Sequence, residues 1–265
     1  MSDLLFVTSF GPDLYEASGK ELIASLDAFH QCRSTVSTTL VCVEGLGAEN
    51  FPPGTLVHNL DIDPFLQSWL SAHEDHIPVH LGGTMKDCSC PGREKRHAKH
   101  KYGCPGQWMN RNASRWFRKV ASYRVAATMG FRYLVWLDSD CLLLKEFGVE
   151  AVKKILDGHG VAFCKGHRPA VESGAVLFDL KRGGRAMIDG LCDRYVSTRV
   201  FADERWDDGF QMARVAKEIP SCNVVDLVHP TKLKGKTNDV IPHTPLAEFV
   251  KHAKGKHGTG LELML

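Results

Sequence analysis

Asp138, Ser139 and Asp140 are the residues of this chain whose types and spacing carry the clearest chemistry. Two carboxylates one residue apart follow the apolar run Leu134-Val135-Trp136-Leu137, and the apolar chain resumes at Cys141-Leu142-Leu143-Leu144. If the run is a β-strand of an open α/β sheet, the pair stands at its carboxyl end, where such sheets bind ligands. Alternation then points both carboxylates one way and Ser139 the other. Two hard oxygen donors aimed at one point suit Mg²⁺ or Mn²⁺, and an ion there neutralises a diphosphate leaving group. The plain alternative is a turn, which Asp and Ser also favour.

A second cluster lies in the segment 86–119. It holds ten Lys/Arg (Lys86, Arg93, Lys95, Arg96, Lys99, Lys101, Arg111, Arg115, Arg118, Lys119) against Asp87 and Glu94, in a chain whose formal net charge is only +2. Charge concentrated in this way attracts a polyanion, either nucleic acid or an acidic membrane surface. Trp108, Trp116 and Phe117 are interleaved with it, and aromatic faces can stack unpaired bases; Trp116 also fits the apolar stripe of a helix. Cys88, Cys90, His97, His100 and Cys104 sit in the same segment. Cys88, Cys90, His100 and Cys104 have the donors for a structural Zn²⁺ site, which would give shape to a loop with little apolar content. The alternative is a lysine-rich loop with incidental thiols.

The elements that must position these residues are readable from periodicity. Leu4–Phe10 and Thr38–Val43 are short apolar runs of buried-strand type, and 17–30 between them is a helix with Leu22, Ile23, Leu26 and Phe29 on one face. This β-α-β opening predicts an α/β chain with a mostly parallel sheet flanked by helices. A helix-like piece surrounds 65–71, and 84–112 is an inserted loop poor in aliphatics. Helices are expected over 113–129 (Trp116, Val120, Tyr123 and Ala127 inward), 149–156, 185–198 and 208–217. Strands are expected over 133–137, 161–165, 175–180 and 224–228, and the stretch from His229 on is expected to be mostly loop.

The chain has 265 residues, 43% of them hydrophobic and 24% charged, which suits a single globular domain over 1–265. No run of about 18 apolar residues is present to span a membrane. The first residues lack a basic n-region and cleavage site and read as a strand. Nine cysteines, several in apolar runs, point to a reduced, cytoplasmic setting.

The segment Phe131-Arg132-Tyr133-Leu134-Val135-Trp136-Leu137-Asp138-Ser139-Asp140 resembles the DxD region of GT-A glycosyltransferases, and Glu172-Ser173-Gly174-Ala175-Val176-Leu177-Phe178 resembles their acceptor-side strand. The resemblance implies a GT-A fold and a nucleotide-sugar donor, with UDP the expected carrier. It implies that Asp138 contacts ribose or metal-bound water and that Asp140 binds the metal. It places the nucleoside base at Thr8-Ser9-Phe10, with Tyr15 as a stacking partner, and Arg118 or Lys119 at phosphate or sugar. A late His ligand in an H-x-x-G segment matches His252-Ala253-Lys254-Gly255, with His257 as rival and Lys254 and Lys256 countering diphosphate charge. An acidic residue before a helix, here Asp208, is implied as general base for an acceptor hydroxyl, and Glu172 is the other acidic candidate; capping carboxylates are the plain reading of Asp207-Asp208.

These features predict a metal-dependent transfer of sugar from a nucleotide sugar. The basic segment favours DNA as acceptor, specifically a hydroxymethylated pyrimidine as in some bacteriophage enzymes, which requires the base to be extruded. A carbohydrate or lipid-linked acceptor is the alternative within the class. A zinc-stapled nucleic-acid-binding module without catalysis is the alternative outside it. A nucleotidyltransferase is disfavoured because Ser9-Phe10-Gly11-Pro12 is too thin for its glycine-rich signature.

Overall fold

A computed structural model describes residues 3–30, 37–73, 112–228 and 240–253. In chain order its strands are β1 (Leu4–Phe10), β2 (Ser37–Val43), β3 (Leu56–Asn59), β4 (Tyr133–Leu137), β5 (Cys141–Leu143), β6 (Val161–Cys164), β7 (Glu172–Asp179), β8 (Val224–Asp226) and β9 (Val250–His252). Its longer helices are α1 (Lys20–His30), α2 (Pro64–Ala72), α3 (Ala113–Ala127), α4 (Val149–Leu156), α5 (Arg185–Val196) and α6 (Asp208–Glu218).

Seven strands form one sheet in the order β3-β2-β1-β4-β7-β6-β8. All are parallel except β7, which runs antiparallel between β4 and β6. Alternation sorts the central strands onto two faces. Leu5 and Val7 of β1 and Leu134 and Trp136 of β4 pack against α2, α3, α5 and α6. Leu4, Phe6, Tyr133, Val135 and Leu137 pack on the opposite face against α1 and α4. Both faces are therefore buried, which is why these strands read as continuous apolar runs rather than alternating ones. Each such side chain contributes about 1.5–3 kcal/mol on burial.

Several boundaries differ from the sequence reading. The first helical path starts at Pro12, ahead of Ala17, with a short α-turn and a π-helical stretch leading into α1. Proline is well suited to a first turn because its missing N–H has no partner there anyway. The strand expected over 175–180 begins earlier, at Glu172, and ends at Asp179. Trp116 packs against the core of α3 while only partly buried, and its neighbour Phe117 is fully buried. The region after His229 is not all loop. Residues 240–253 make two 3₁₀ turns and then β9, which pairs antiparallel with β5 in a separate two-stranded sheet. No helix among the described residues is long and apolar enough to cross a membrane.

Candidate active site

β1, β2 and β4 end side by side, so Phe10, Glu44 and Asp138 emerge at one edge of the sheet. The backbone then turns: Cys141 N–H donates to the Asp138 carbonyl at 2.9 Å. That turn ends the strand alternation, so Ser139 does not face away but lines the same cleft as Asp138 and Asp140. β5 follows at once and brings β9 alongside, with Cys141 opposite His252 and Ala253 N–H donating to the Asp140 carbonyl at 2.8 Å. This register sets the His252 imidazole beside the Asp140 carboxylate, with Nε2 3.1 Å from Oδ1.

The cleft has a volume of about 570 Å³, and its walls include Ser9, Phe10, Glu44, Arg115, Arg118 and Lys119 as well as the acidic turn, Glu172 and His252. Two residues expected at the nucleoside, Thr8 and Tyr15, are not on these walls. Thr8 is buried in β1. Tyr15 packs on Phe10 and Phe51 (ring centroids 5.5 and 5.4 Å away) and donates its hydroxyl to the Asn50 carbonyl, so it braces Phe10 from behind instead of presenting a stacking face. Lys254, Lys256 and His257, and the zinc candidates Cys88, Cys90, His100 and Cys104, lie outside the described residues.

Asp138 is held on one oxygen. Its Oδ1 accepts from Lys119 Nζ and from Trp136 Nε1, both at 2.7 Å, while about a third of the side chain stays open to the cleft. Lys119 is almost fully buried and also meets Ser173 O at 2.8 Å and Asp208 Oδ2 at 3.1 Å. The Asp208 contact has the distance of an ion pair. Burial alone would lower the Lys119 pKa, yet the Asp138 and Asp208 carboxylates outweigh it and leave it raised. Burial raises the Asp208 carboxyl, with Lys119 opposing and Asp138 assisting. Burial likewise works against the His252 imidazolium, but the Asp140 hydrogen bond and the surrounding carboxylates leave its pKa raised.

The donor set fits a divalent ion. Ligands about 2.1 Å from an octahedral ion lie about 3 Å apart at adjacent positions, and Asp140 Oδ1 and His252 Nε2 are separated by 3.1 Å. Cys141 Sγ is also within reach of both groups. It is a poor ligand, because burial pushes its pKa well above the ordinary thiol value and the thiol is spent on the Gly174 carbonyl at 3.2 Å. Asp138 stands outside this group of three among the described residues, with its Oδ1 engaged by Lys119 and Trp136.

Gly174 keeps this arrangement open. Its carbonyl accepts from Asp138 N–H at 2.8 Å, and a Cβ added there would stand 2.7 Å from His252 Cε1. Gly174→Ala is therefore expected to displace the imidazole and weaken metal affinity by about 10–100-fold, the usual cost of disturbing a ligand's support. Mn²⁺ titration of the purified variant checks this; unchanged affinity would show that His252 is not a ligand.

Sequence reasoning missed Glu44, Arg115 and Trp116 as cleft residues. Glu44 follows β2 directly, so the carboxyl-end rule pointed to it. Arg118 Nε meets its Oε2 at 2.5 Å. A second, smaller pocket of about 320 Å³ adjoins the cleft, sharing Trp116 and Glu172 with it and adding Arg168, Arg205, Asp207 and Asp208. Nothing in the sequence marked Arg168 or Arg205.

No protein-family model and no curated protein matches the chain. Solved structures do. The galactosyltransferase LgtC, determined with donor and acceptor sugar analogs, superposes with a TM-score of 0.51 at 12% identity, covering 95% of this chain and 87% of that one. This is the GT-A fold. Mouse xyloside xylosyltransferase 1 shares it with a TM-score of 0.50 at 12% identity over 85% of both chains. The bifunctional glycosyltransferase WbbM does so with a TM-score of 0.51 at 14% identity, covering 97% of this chain but only 46% of its own.

Proposed function

We propose that this protein is a metal-dependent glycosyltransferase that moves a sugar from a nucleotide diphosphate sugar to an acceptor hydroxyl. The observation that carries the reading is the convergence of Asp138, Asp140 and His252, from two separate strand pairs, on one cleft at the carboxyl edge of the sheet. Asp140 and His252 would hold Mn²⁺ or Mg²⁺, with Asp138 placed for ribose or metal-bound water. The ion would supply charge neutralisation to a departing diphosphate. Phe10 and Glu44 border the space for the nucleoside, UDP being the expected carrier, and Arg115 and Arg118 stand on the same wall.

In the transfer, the bond from the anomeric carbon to the diphosphate oxygen breaks, with its electron pair leaving on the diphosphate. The acceptor oxygen bonds to that carbon and gives up its proton to a carboxylate. Glu172 is better placed than Asp208 for this proton, because it lies on the wall shared by both pockets. Asp208 is almost fully buried and engaged with Lys119, which makes it a positioning residue for Lys119 and through it for Asp138.

The DNA acceptor rests on charge in 86–119, of which 86–111 lies outside the described residues. Within the described part, Arg118 is paired with Glu44 and Lys119 with Asp138 and Asp208, so these cations serve the donor side.

Removing metal is the direct test. Calorimetric titration of UDP into the protein with Mn²⁺ is expected to show saturable binding that weakens at least about 100-fold in EDTA, several kcal/mol being the usual worth of a metal–phosphate contact. UDP binding indifferent to EDTA would remove the metal from the reading.

A further inference from the structure

The pocket beside the donor cleft has a chemistry of its own. Its volume of about 320 Å³ is at the small end for ligand sites and admits a single ring. Trp116 is partly exposed on its wall, with the Arg115 guanidinium 5.3 Å from the ring centroid. The polar side chains are arranged as forks. Arg168 meets Glu172 at 3.1 Å and Arg205 meets Asp207 at 2.7 Å. Two carboxylates (Glu172, Asp207) face two guanidinium groups, and Asp208 behind them is turned to Lys119, so the lining carries no surplus of positive charge.

We infer that this pocket seats one uncharged, hydroxyl-bearing ring of the acceptor, a saccharide ring, on Trp116. The inference rests on the glycosyl-transfer reading and deepens it by naming the acceptor class. A saccharide ring has an apolar C–H face that packs on an indole, whose amphipathic body suits a half-wet site. Its hydroxyls both donate and accept, so each can bridge an arginine and a carboxylate of one fork. A nucleic-acid strand needs cations to replace its counterions, and the arginines of this wall already face carboxylates. Glu172, on the shared wall, borders both the donor cleft and the seated ring, where the reacting hydroxyl has to be.

The test uses the full chain with Mn²⁺ and UDP-sugars. Acceptors are a panel of p-nitrophenyl monosaccharides and, separately, single- and double-stranded DNA containing hydroxymethylcytosine. UDP binding is measured in parallel. Label is expected to pass to at least one glycoside. Trp116→Ala, on the wall of both pockets, is expected to raise the acceptor KM. Arg205→Leu, on the second pocket alone, is expected to raise the acceptor KM at least tenfold more than the donor KM, with Arg205→Lys recovering part of the loss. That split separates ring binding from general damage, which would raise both constants or remove UDP binding. Label passing to the DNA and not to any glycoside overturns the inference. So does retained UDP binding with no glycoside accepted, an outcome that leaves the donor-side reading standing. Failure of UDP binding in the unmodified protein removes the donor-side reading and this inference together.

Discussion

Asp140→Asn is expected to lower kcat/KM for sugar transfer by about 10²–10³, equivalent to about 3–4 kcal/mol of transition-state stabilisation. The exchange keeps the size of the side chain and its ability to meet His252 Nε2, now 3.1 Å from Oδ1. What it removes is a negative oxygen donor beside the imidazole. The fold should be little changed, because Asp140 also anchors β9 through its backbone carbonyl, to Ala253 N–H, and Asn keeps a polar contact with His252. The thermal midpoint should stay within a few degrees while activity falls. If activity survives the exchange at ordinary Mn²⁺ concentrations, the acidic turn is structural.

Lys119→Met is expected to be the most destabilising single change in the site, at about 3–5 kcal/mol, the range for removing one partner of a buried ion pair. Lys119 is 5% exposed and Asp208 1%, so the carboxylate left behind would be desolvated without compensation. The raised Asp208 pKa has the same origin: burial disfavours its charge and Lys119 relieves this. The double variant Lys119→Met/Asp208→Leu removes both charges and is expected to regain much of the lost stability, since replacing a buried pair by apolar groups is often neutral. Chemical denaturation of the two variants measures the difference. Equal instability in both would show that packing around Lys119, and not its charge, supports the site. Activity should be lost in either, because Lys119 also fixes the Asp138 oxygen that Trp136 shares.

Much of the scaffold was legible in the sequence. The runs at Leu4–Phe10 and 133–137 are apolar on both faces because helices cover both sides of the sheet, so their strand character was plain. The acidic turn was legible for the same reason: charge directly after such a run has to lie at a strand end. What the sequence did not disclose depends on long-range pairing. The antiparallel sense of β7, which carries Glu172 to the boundary of the two pockets, is set by its ladder with β4. The choice of face for Trp116 and Phe117 could not be made from periodicity, because both are apolar and adjacent. Asp207-Asp208 read either as helix caps or as the site of a general base. It is Asp207 that caps α6, its side chain accepting from Phe210 N–H, while Asp208 turns inward. Its contact with Lys119 joins α6 to α3, far apart in the chain, and closes it off.

The central claim is that Asp140 and His252 hold a divalent ion that meets a nucleotide diphosphate. Anomalous diffraction from crystals grown with Mn²⁺ and UDP tests it most directly. The expected result is a manganese peak about 2.0–2.3 Å from the Asp140 carboxylate and from His252 Nε2, bridged to the diphosphate within the cleft. A crystal with UDP bound in the cleft and no manganese at these two residues, under saturating Mn²⁺, would contradict it.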